Sequence, residues 1–176
     1  MNTQAKPLLD LVISVHDLHA LLGKKNRRER PLLVDVRSFQ EYAAGHIPSA
    51  VNIDLMQFHW IDTSKKGIRD FNHQSRLLLS NIGVTADRMV VFYDNISGPS
   101  AARGVWLLTY FSHHNVAMLD GGFEEWRGQR LPVEEKTNSF THSNFKGRPN
   151  PKVLTTANEL KSAISSGRAI VIDARS

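Results

Sequence analysis

Asp94 is the residue of this sequence best placed to do chemistry. It closes the apolar run Met89-Val90-Val91-Phe92-Tyr93 and opens the polar stretch Asn95-Ile96-Ser97-Gly98-Pro99-Ser100. A strand-end aspartate can serve as a nucleophile through a covalent intermediate. Phosphohydrolases of that kind carry a second carboxylate two residues later, to bind magnesium and act as acid, and that position here is Ile96. The context therefore favours a loop aspartate that accepts backbone hydrogen bonds. The loop has the design of an anion cradle: Asn95 to Ser100 would aim successive amides inward, and a helix starting near Ser100 or Ala101 adds its positive end. A thiolate in that spot would have a lowered pKa. The chain contains no cysteine, which excludes disulfides, thiolate metal sites and any residue able to carry a persulfide.

Other candidates read more plainly. Arg37 and Arg103 suit oxyanions, but Asp35 and Asp94 are equally available to them as ion-pair partners, which favours structural roles. His46, in the turn Gly45-His46-Ile47-Pro48, is either a general base or a ring bonded to the turn backbone. His16 and His19 lie three apart with no third ligand located, so they read as surface histidines and no metal site is expected. Trp106, Trp126 and Phe111, at helical spacings, read as core.

The elements that must position these residues emerge from caps and periodicity. Ser14 precedes Val15, Leu18, Leu21 and Leu22, an N-cap with apolar spacing of three and four that ends at Gly23. Leu32 to Val36 is a compact, buried-type strand. Ser38-Phe39-Gln40-Glu41 is a capping box for a helix of about two turns that runs to Gly45. Pro48 disfavours helix at Ile47, and Val51-Asn52-Ile53 emerges as a short strand. Residues 54–72 read as irregular, and Leu77, Leu78, Leu79 and Ile82 mark a helix closed by Gly83. Met89 to Tyr93 is the most convincing strand, Ala101 to Phe111 carries the best helical pattern, and Val116 to Leu119 is a further strand. Asp120-Gly121-Gly122 turns into a last helix holding Phe123 and Trp126 and ending at Gly128. A strand-to-helix turn this tight needs a positive φ or a close backbone approach at its glycines. Strands alternating with short helices imply right-handed crossovers and a parallel sheet covered on both faces.

A chain of 176 residues suits one such domain with a remainder. The domain is expected over 8–133. Residues 134–152, rich in Lys, Asn, Ser, Thr, Gly and Pro, read as a linker. Beyond the linker, the chain repeats its own start. Thr156-Ala157-Asn158-Glu159-Leu160 echoes the first capped helix, and Ile170-Val171-Ile172-Asp173-Ala174-Arg175-Ser176 matches Leu32 to Ser38 in residue type at every position. Residues 153–176 are thus expected to open a second, truncated domain. Its strand would lack partners in a missing sheet and be disordered, docked or self-associating.

Apolar residues make up 41 % and charged residues 22 % of the chain, as in a folded soluble domain. No apolar run approaches the roughly 18 residues of a spanning helix, and the N-terminus lacks signal features. A cytoplasmic protein with no membrane partner is expected. The net charge of +5 suggests an anionic partner or substrate. Much of it sits in Lys24, Lys25, Arg27, Arg28 and Arg30, and the absence of interleaved aromatics favours a solvated loop over a nucleic-acid surface.

Three motifs together resemble the rhodanese superfamily, and more narrowly the tandem-domain thiosulfate and 3-mercaptopyruvate sulfurtransferases. The first runs from Asp35-x-Arg37 through Glu41, Tyr42 and Gly45-His46-Ile47-Pro48 to Ala50 and Asn52. The second is Val90 to Asp94 with its loop and Arg103 to Trp106, and the third is Leu119-Asp120-Gly121-Gly122-Phe123 with Trp126. The resemblance implies a three-layer α/β fold with a central, mostly parallel five-stranded sheet and helices on both faces. It also implies an active loop, here Asp94 to Ser100, where the family holds a cysteine that accepts sulfane sulfur and passes it to a thiophilic acceptor. In tandem enzymes the N-terminal domain commonly lacks that cysteine, and Asp94 stands at its place. The resemblance further implies that Asp35, His46, Pro48, Gly121 and Gly122 are scaffold positions and that no cofactor is needed. The implied partner is a C-terminal rhodanese domain, with thiosulfate or mercaptopyruvate bound at the domain interface. The competing reading is a free-standing, cysteine-free module that binds a protein or anion for regulation.

Overall fold

The computed structural model describes residues 11–55 and 62–173. In chain order the elements are β1 (Val12–Ile13), α1 (Val15–Leu22), a 3-10 turn (Arg27–Glu29), β2 (Leu32–Asp35), α2 (Phe39–Ala43), β3 (Val51–Asn52), α3 (Lys65–Asn81), β4 (Val90–Tyr93), α4 (Pro99–Tyr110), β5 (Val116–Leu119), α5 (Gly122–Gly128) and α6 (Ala157–Ser165). The strands form one sheet in the order β1-β5-β4-β2-β3, and every pairing is parallel. The sheet has the five strands expected. The one that the sequence did not disclose is β1, a two-residue edge strand paired to Met118 and Leu119, too short to show any period.

Because side chains alternate across a strand, each central strand feeds two cores. Leu32, Val34, Val90 and Phe92 point to one face, where α3 and α4 cover them with Leu79, Val105 and Leu108. Leu33, Val91 and Tyr93 point to the other, against Leu18 of α1, Tyr42 of α2 and Phe123 and Trp126 of α5. Both faces are dry, which explains why β2 and β4 read as unbroken apolar runs.

Three expectations need correction. First, α3 begins at Lys65 rather than near Leu77, capped by Ser64 and supported by Lys66 and Asp70 one turn apart. Its inward positions include the small residues Gly67, Ser75 and Ser80, so the apolar stripe is broken in the sequence although the helix is continuous; residues 56–61 of the same stretch lie outside the described residues. Second, Trp106 is not core. It lies on the outer side of α4, stacked on Tyr110 with centroids 5.5 Å apart, whereas Trp126 and Phe111 are buried.

Third, the linker-like stretch 134–152 has almost no regular structure yet is strapped to the domain. The Ser143 N–H donates to the Ser80 carbonyl at 2.8 Å, its hydroxyl to the Val84 carbonyl at 2.6 Å, and the Phe145 N–H to Ser80 Oγ at 3.0 Å. Phe145 is buried edge-on against Phe111. Further on, the Asn150 N–H meets the Tyr110 carbonyl, and Val153 and Leu154 pack against the same core. Beyond the strap, α6 forms with the capping box Thr156/Glu159, and the apolar run after it forms no strand, with Ile170 92 % and Ile172 85 % exposed. A strand needs a neighbour for its backbone groups, and residues 170–172 take part in none of the sheet's pairings. Residues 174–176 lie outside the described residues.

If the strap belongs to the core, Phe145→Ala is expected to cost about 3 kcal/mol through the cavity it leaves. Urea unfolding measures this directly; a change under about 0.5 kcal/mol would show that the strap is peripheral.

Candidate functional site

β2 leads outward through α2 to β3, while its neighbour β4 leads the opposite way through α4 to β5. The crevice at the carboxyl ends of β2 and β4 is therefore the topological switch point, where open α/β sheets place their ligands. Arg37 and Ser38 leave β2 there, and Asp94 leaves β4.

The Asp94 loop is closed on its own carboxylate. Oδ1 accepts from the amides of Ile96 at 3.2 Å and Gly98 at 2.7 Å, and Oδ2 accepts from Ala101 at 3.1 Å, in the first turn of α4. The anion that the amides of Ile96, Gly98 and Ala101 hold is the side chain of Asp94, itself 8 % exposed, rather than an outside ligand on successive amides of residues 95–100. Ser97 turns the loop with a φ of 62° and donates its hydroxyl to the Leu119 carbonyl. Pro99 begins α4, where its missing N–H is no loss. Ile96 projects into solvent.

Two contacts that the sequence did not disclose fix the base of this loop. The carbonyls of Asp94 and Asn95 accept from the amides of Phe123 at 2.8 Å and Glu124 at 3.0 Å, so the first turn of α5 docks on the loop. Asn95 Nδ2 also donates to Glu41 Oε1 at 2.7 Å, and Glu41 is the glutamate that closes the capping box of α2. Hydrogen bonds from Asn95 first and Ser38 next hold the Glu41 carboxyl below its ordinary pKa. The capping box was legible; that its glutamate reaches β4's loop depends on which strands are neighbours.

Arg37 and Asp35 form a buried pair. The guanidinium Nη2 lies 2.6 Å from Asp35 Oδ2 and also donates to the Gly45 carbonyl at 2.8 Å, while its plane covers the Phe123 ring at 3.9 Å. Burial lowers the Arg37 pKa, but the Asp35 carboxylate outweighs this and holds it above the ordinary value. Arg103 sits partly buried on α4.

His46 is fully buried and cannot touch a substrate in this state. Its Nδ1 donates to the Tyr42 carbonyl at 2.8 Å, and its ring stacks on Tyr42 at 3.7 Å. Nε2 faces Glu134 Oε1 at 3.5 Å and the Asn138 amide at 3.4 Å. Pro48 comes next in the same turn, and the Ser49 N–H donates to Glu134 Oε1 at 2.6 Å. This turn therefore anchors the start of the strap. Gly121 and Gly122 have φ of 69° and 61°. A Cβ on Gly122 would come within 2.5 Å of the Asp94 carbonyl oxygen, which the helix approaches to bind the loop.

His16 and His19 are exposed, His16 beside Asp17 and His19 against the edge of Trp126. Among the described residues no group of three or more His, Asp or Glu is arranged to hold a metal ion, and no helix is long and apolar enough to cross a membrane.

Residues 14–129 match the rhodanese-like domain family. The chain belongs to that family. It is 29 % identical to a thiosulfate sulfurtransferase of Pseudomonas aeruginosa over 172 residues, covering 95 % of this chain and 60 % of that protein. It is 30 % identical to human 3-mercaptopyruvate sulfurtransferase over 142 residues, covering 77 % of this chain and 46 % of the relative. The crystal structure of SseA from Escherichia coli, a 3-mercaptopyruvate sulfotransferase, superposes with a TM-score of 0.73 at 25 % identity, covering 94 % of this chain and 66 % of the other. The chain thus spans about half the length of the curated relatives it matches.

Within this rhodanese-like domain, Gly122→Ala is expected to destabilise by at least about 2 kcal/mol, from the left-handed φ and the close carbonyl together. Gly128→Ala, on the same helix with nothing within 4 Å of the added carbon, is expected to be neutral or stabilising by up to about 1 kcal/mol. Equal effects of the two in chemical denaturation would refute the docking role. Burial raises the Glu134 pKa, but the Asn138 amide, the Ser49 N–H and the nearby His46 outweigh it and hold the carboxyl below its ordinary value. A depressed carboxyl stabilises above the unfolded-state pKa and loses that contribution as pH falls through the folded one. The stability of the parent is therefore expected to fall more steeply on the acid side of the carboxyl range than that of Glu134→Gln, and superposable pH profiles would show that the ionised carboxylate contributes nothing.

Proposed function

We propose that this chain is a non-catalytic rhodanese-like domain of the N-terminal type, from a thiosulfate/3-mercaptopyruvate sulfurtransferase-type protein. Its role is to support transfer of sulfane sulfur to a thiophilic acceptor by a cysteine in a C-terminal rhodanese domain. The observation that carries the reading is Asp94. It stands at the end of β4 where the family's nucleophile belongs, and its carboxylate occupies the three amides that would otherwise stabilise a thiolate or persulfide. A carboxylate oxygen is a poor acceptor of sulfane sulfur, and the chain has no cysteine.

Two observations support the second domain. Residues 153–173 repeat the capped helix and apolar run of residues 14–35 in residue type. A match over 95 % of the chain to the Pseudomonas protein must also take in most of residues 153–176. The whole protein would bind thiosulfate or mercaptopyruvate between its domains, with this domain as one wall.

The test is a sulfurtransferase assay with thiosulfate and cyanide, on the unaltered chain and on Asp94→Cys. The unaltered chain is expected to show no turnover above the blank, and turnover would overturn the proposal. In Asp94→Cys the amides of Ile96, Gly98 and Ala101 lose their internal carboxylate. The new thiol, unique in the chain, is expected to be alkylated with a pKa below the free value of about 8.5. The coding sequence past Ser176 is expected to continue into a cysteine-bearing rhodanese repeat.

A further inference from the structure

At the other end of the sheet, where β2 and β4 begin, lies an open groove of about 700 Å³. Its cationic wall combines Arg27, Arg28 and Arg30, from the 3-10 turn and the approach to β2, with Arg88, which immediately precedes Met89 and β4. Separate in sequence, the two segments are locked together: Arg88 Nε donates to the Arg30 carbonyl and Nη2 to the Pro31 carbonyl, both at 3.1 Å. Arg30 Nε in turn donates to the Lys24 carbonyl at 2.6 Å. Two of the four guanidiniums are thus oriented in advance by carbonyl oxygens rather than by carboxylates. Burial presses the pKa of Arg88 below the ordinary arginine value, a sign that those carbonyls offset only part of its lost hydration.

The facing wall is neutral and rich in hydrogen-bonding side chains. Ser49 and Thr85 contribute from the body of the domain, and Asn138, Ser139 and Thr141 from the strap. Asn138 is fixed through its amide to the Ala50 carbonyl at 3.0 Å and to Glu134 at 2.6 Å, and its N–H donates to Tyr42 Oη at 3.0 Å. This wall exists because residues 134–145 fold back on the domain. Among the described residues, Asp87 is the groove's single carboxylate, against four arginines.

We infer that this groove binds a small free anion of the diphosphate class. Paired guanidiniums present planar forks that match phosphate oxygens two at a time. The hydroxyls of Ser49, Ser139 and Thr141 supply donors for the remaining oxygens. Four arginines against one aspartate exceed the charge of a monophosphate, and the volume exceeds what one phosphate fills. Among the described residues the lining has no aromatic on which a base could stack. Its cations also line a concavity rather than a continuous stripe of the surface, which favours a compact anion over a nucleic-acid backbone. The site is at the amino ends of the strands, opposite the Asp94 loop, and does not depend on the sulfurtransferase reading.

Titration calorimetry of the full chain with inorganic pyrophosphate at low salt tests this. Saturable one-to-one binding is expected, with Kd on the order of 100 µM. Arg27→Ala with Arg28→Ala is expected to weaken it at least about tenfold, and Ser139→Ala with Thr141→Val about threefold. All four side chains are exposed, so unchanged urea midpoints are expected in both double variants. Lys65→Ala with Lys161→Ala removes the same charge outside the groove and is expected to change Kd less than about twofold. Absence of saturable heat overturns the inference. So does equal weakening by the lysine pair, which would reveal general charge attraction, or tighter binding of a DNA duplex than of pyrophosphate, which would make the groove part of a nucleic-acid surface.

Discussion

Asp35 and Arg37 carry opposite charges in a place with almost no water, and most of the crevice end of the sheet is arranged around keeping them paired. Removing two charges from water is expensive, and it is offset only when geometry and further hydrogen bonds are good. Here the carboxylate accepts the guanidinium through both of its oxygens and also the Arg37 N–H. The guanidinium spends another hydrogen on Gly45 and lies flat on Phe123. Asn52 ties the Asp35 and Arg37 carbonyls across to β3. Nearby, Tyr93 Oη accepts the Ile47 N–H, and burial first, then the Asp35 carboxylate, push the Tyr93 pKa well up, so the phenol stays neutral. A single ion pair thereby positions the end of β2, the Gly-His-Ile-Pro turn and the first turn of α5, which in turn holds the Asp94 loop.

The loop after β4 repeats the principle with a different solution. Asp35 is neutralised by a cation, whereas Asp94 is held by three amides and the start of a helix. Amide donors pointing at one spot are indifferent to which anion fills it, and here the carboxylate of the loop's own first residue fills it. The two aspartates end adjacent parallel strands yet serve different ends: the first joins the end of β2 to the turn and to α5, and the second closes its own loop.

Much of this was legible. Ser14, Ser38 and Thr156 cap their helices through the side-chain contacts their spacing implied, and the apolar runs of β2, β4 and β5 lie where they were expected. What failed did so for definable reasons. The buried stripe of α3 includes Gly67, Ser75 and Ser80 beside Leu79, so a search for apolar period misses it. Trp106 is large and apolar but packs sideways along its own helix rather than inward. The strap is held chiefly by backbone hydrogen bonds, to which composition is blind, and by the single aromatic Phe145. In the site, the anion cradle could be read from Asp94 to Ser100, but its contacts with Glu41 and with α5 could not, because they cross elements whose adjacency only the sheet order defines.

The strap also changes the mechanics of whatever the chain carries after it. Had residues 134–152 been a free coil, the segment beyond would explore a wide volume and meet this domain at low effective concentration. Fastened at Ser143, Phe145 and Asn150, and still packed at Leu154, the chain leaves from a fixed point immediately before the cap of α6. The apparent tether is spent on the surface, and the entropy of bringing a later segment back to this domain is lost when the domain folds rather than at each encounter.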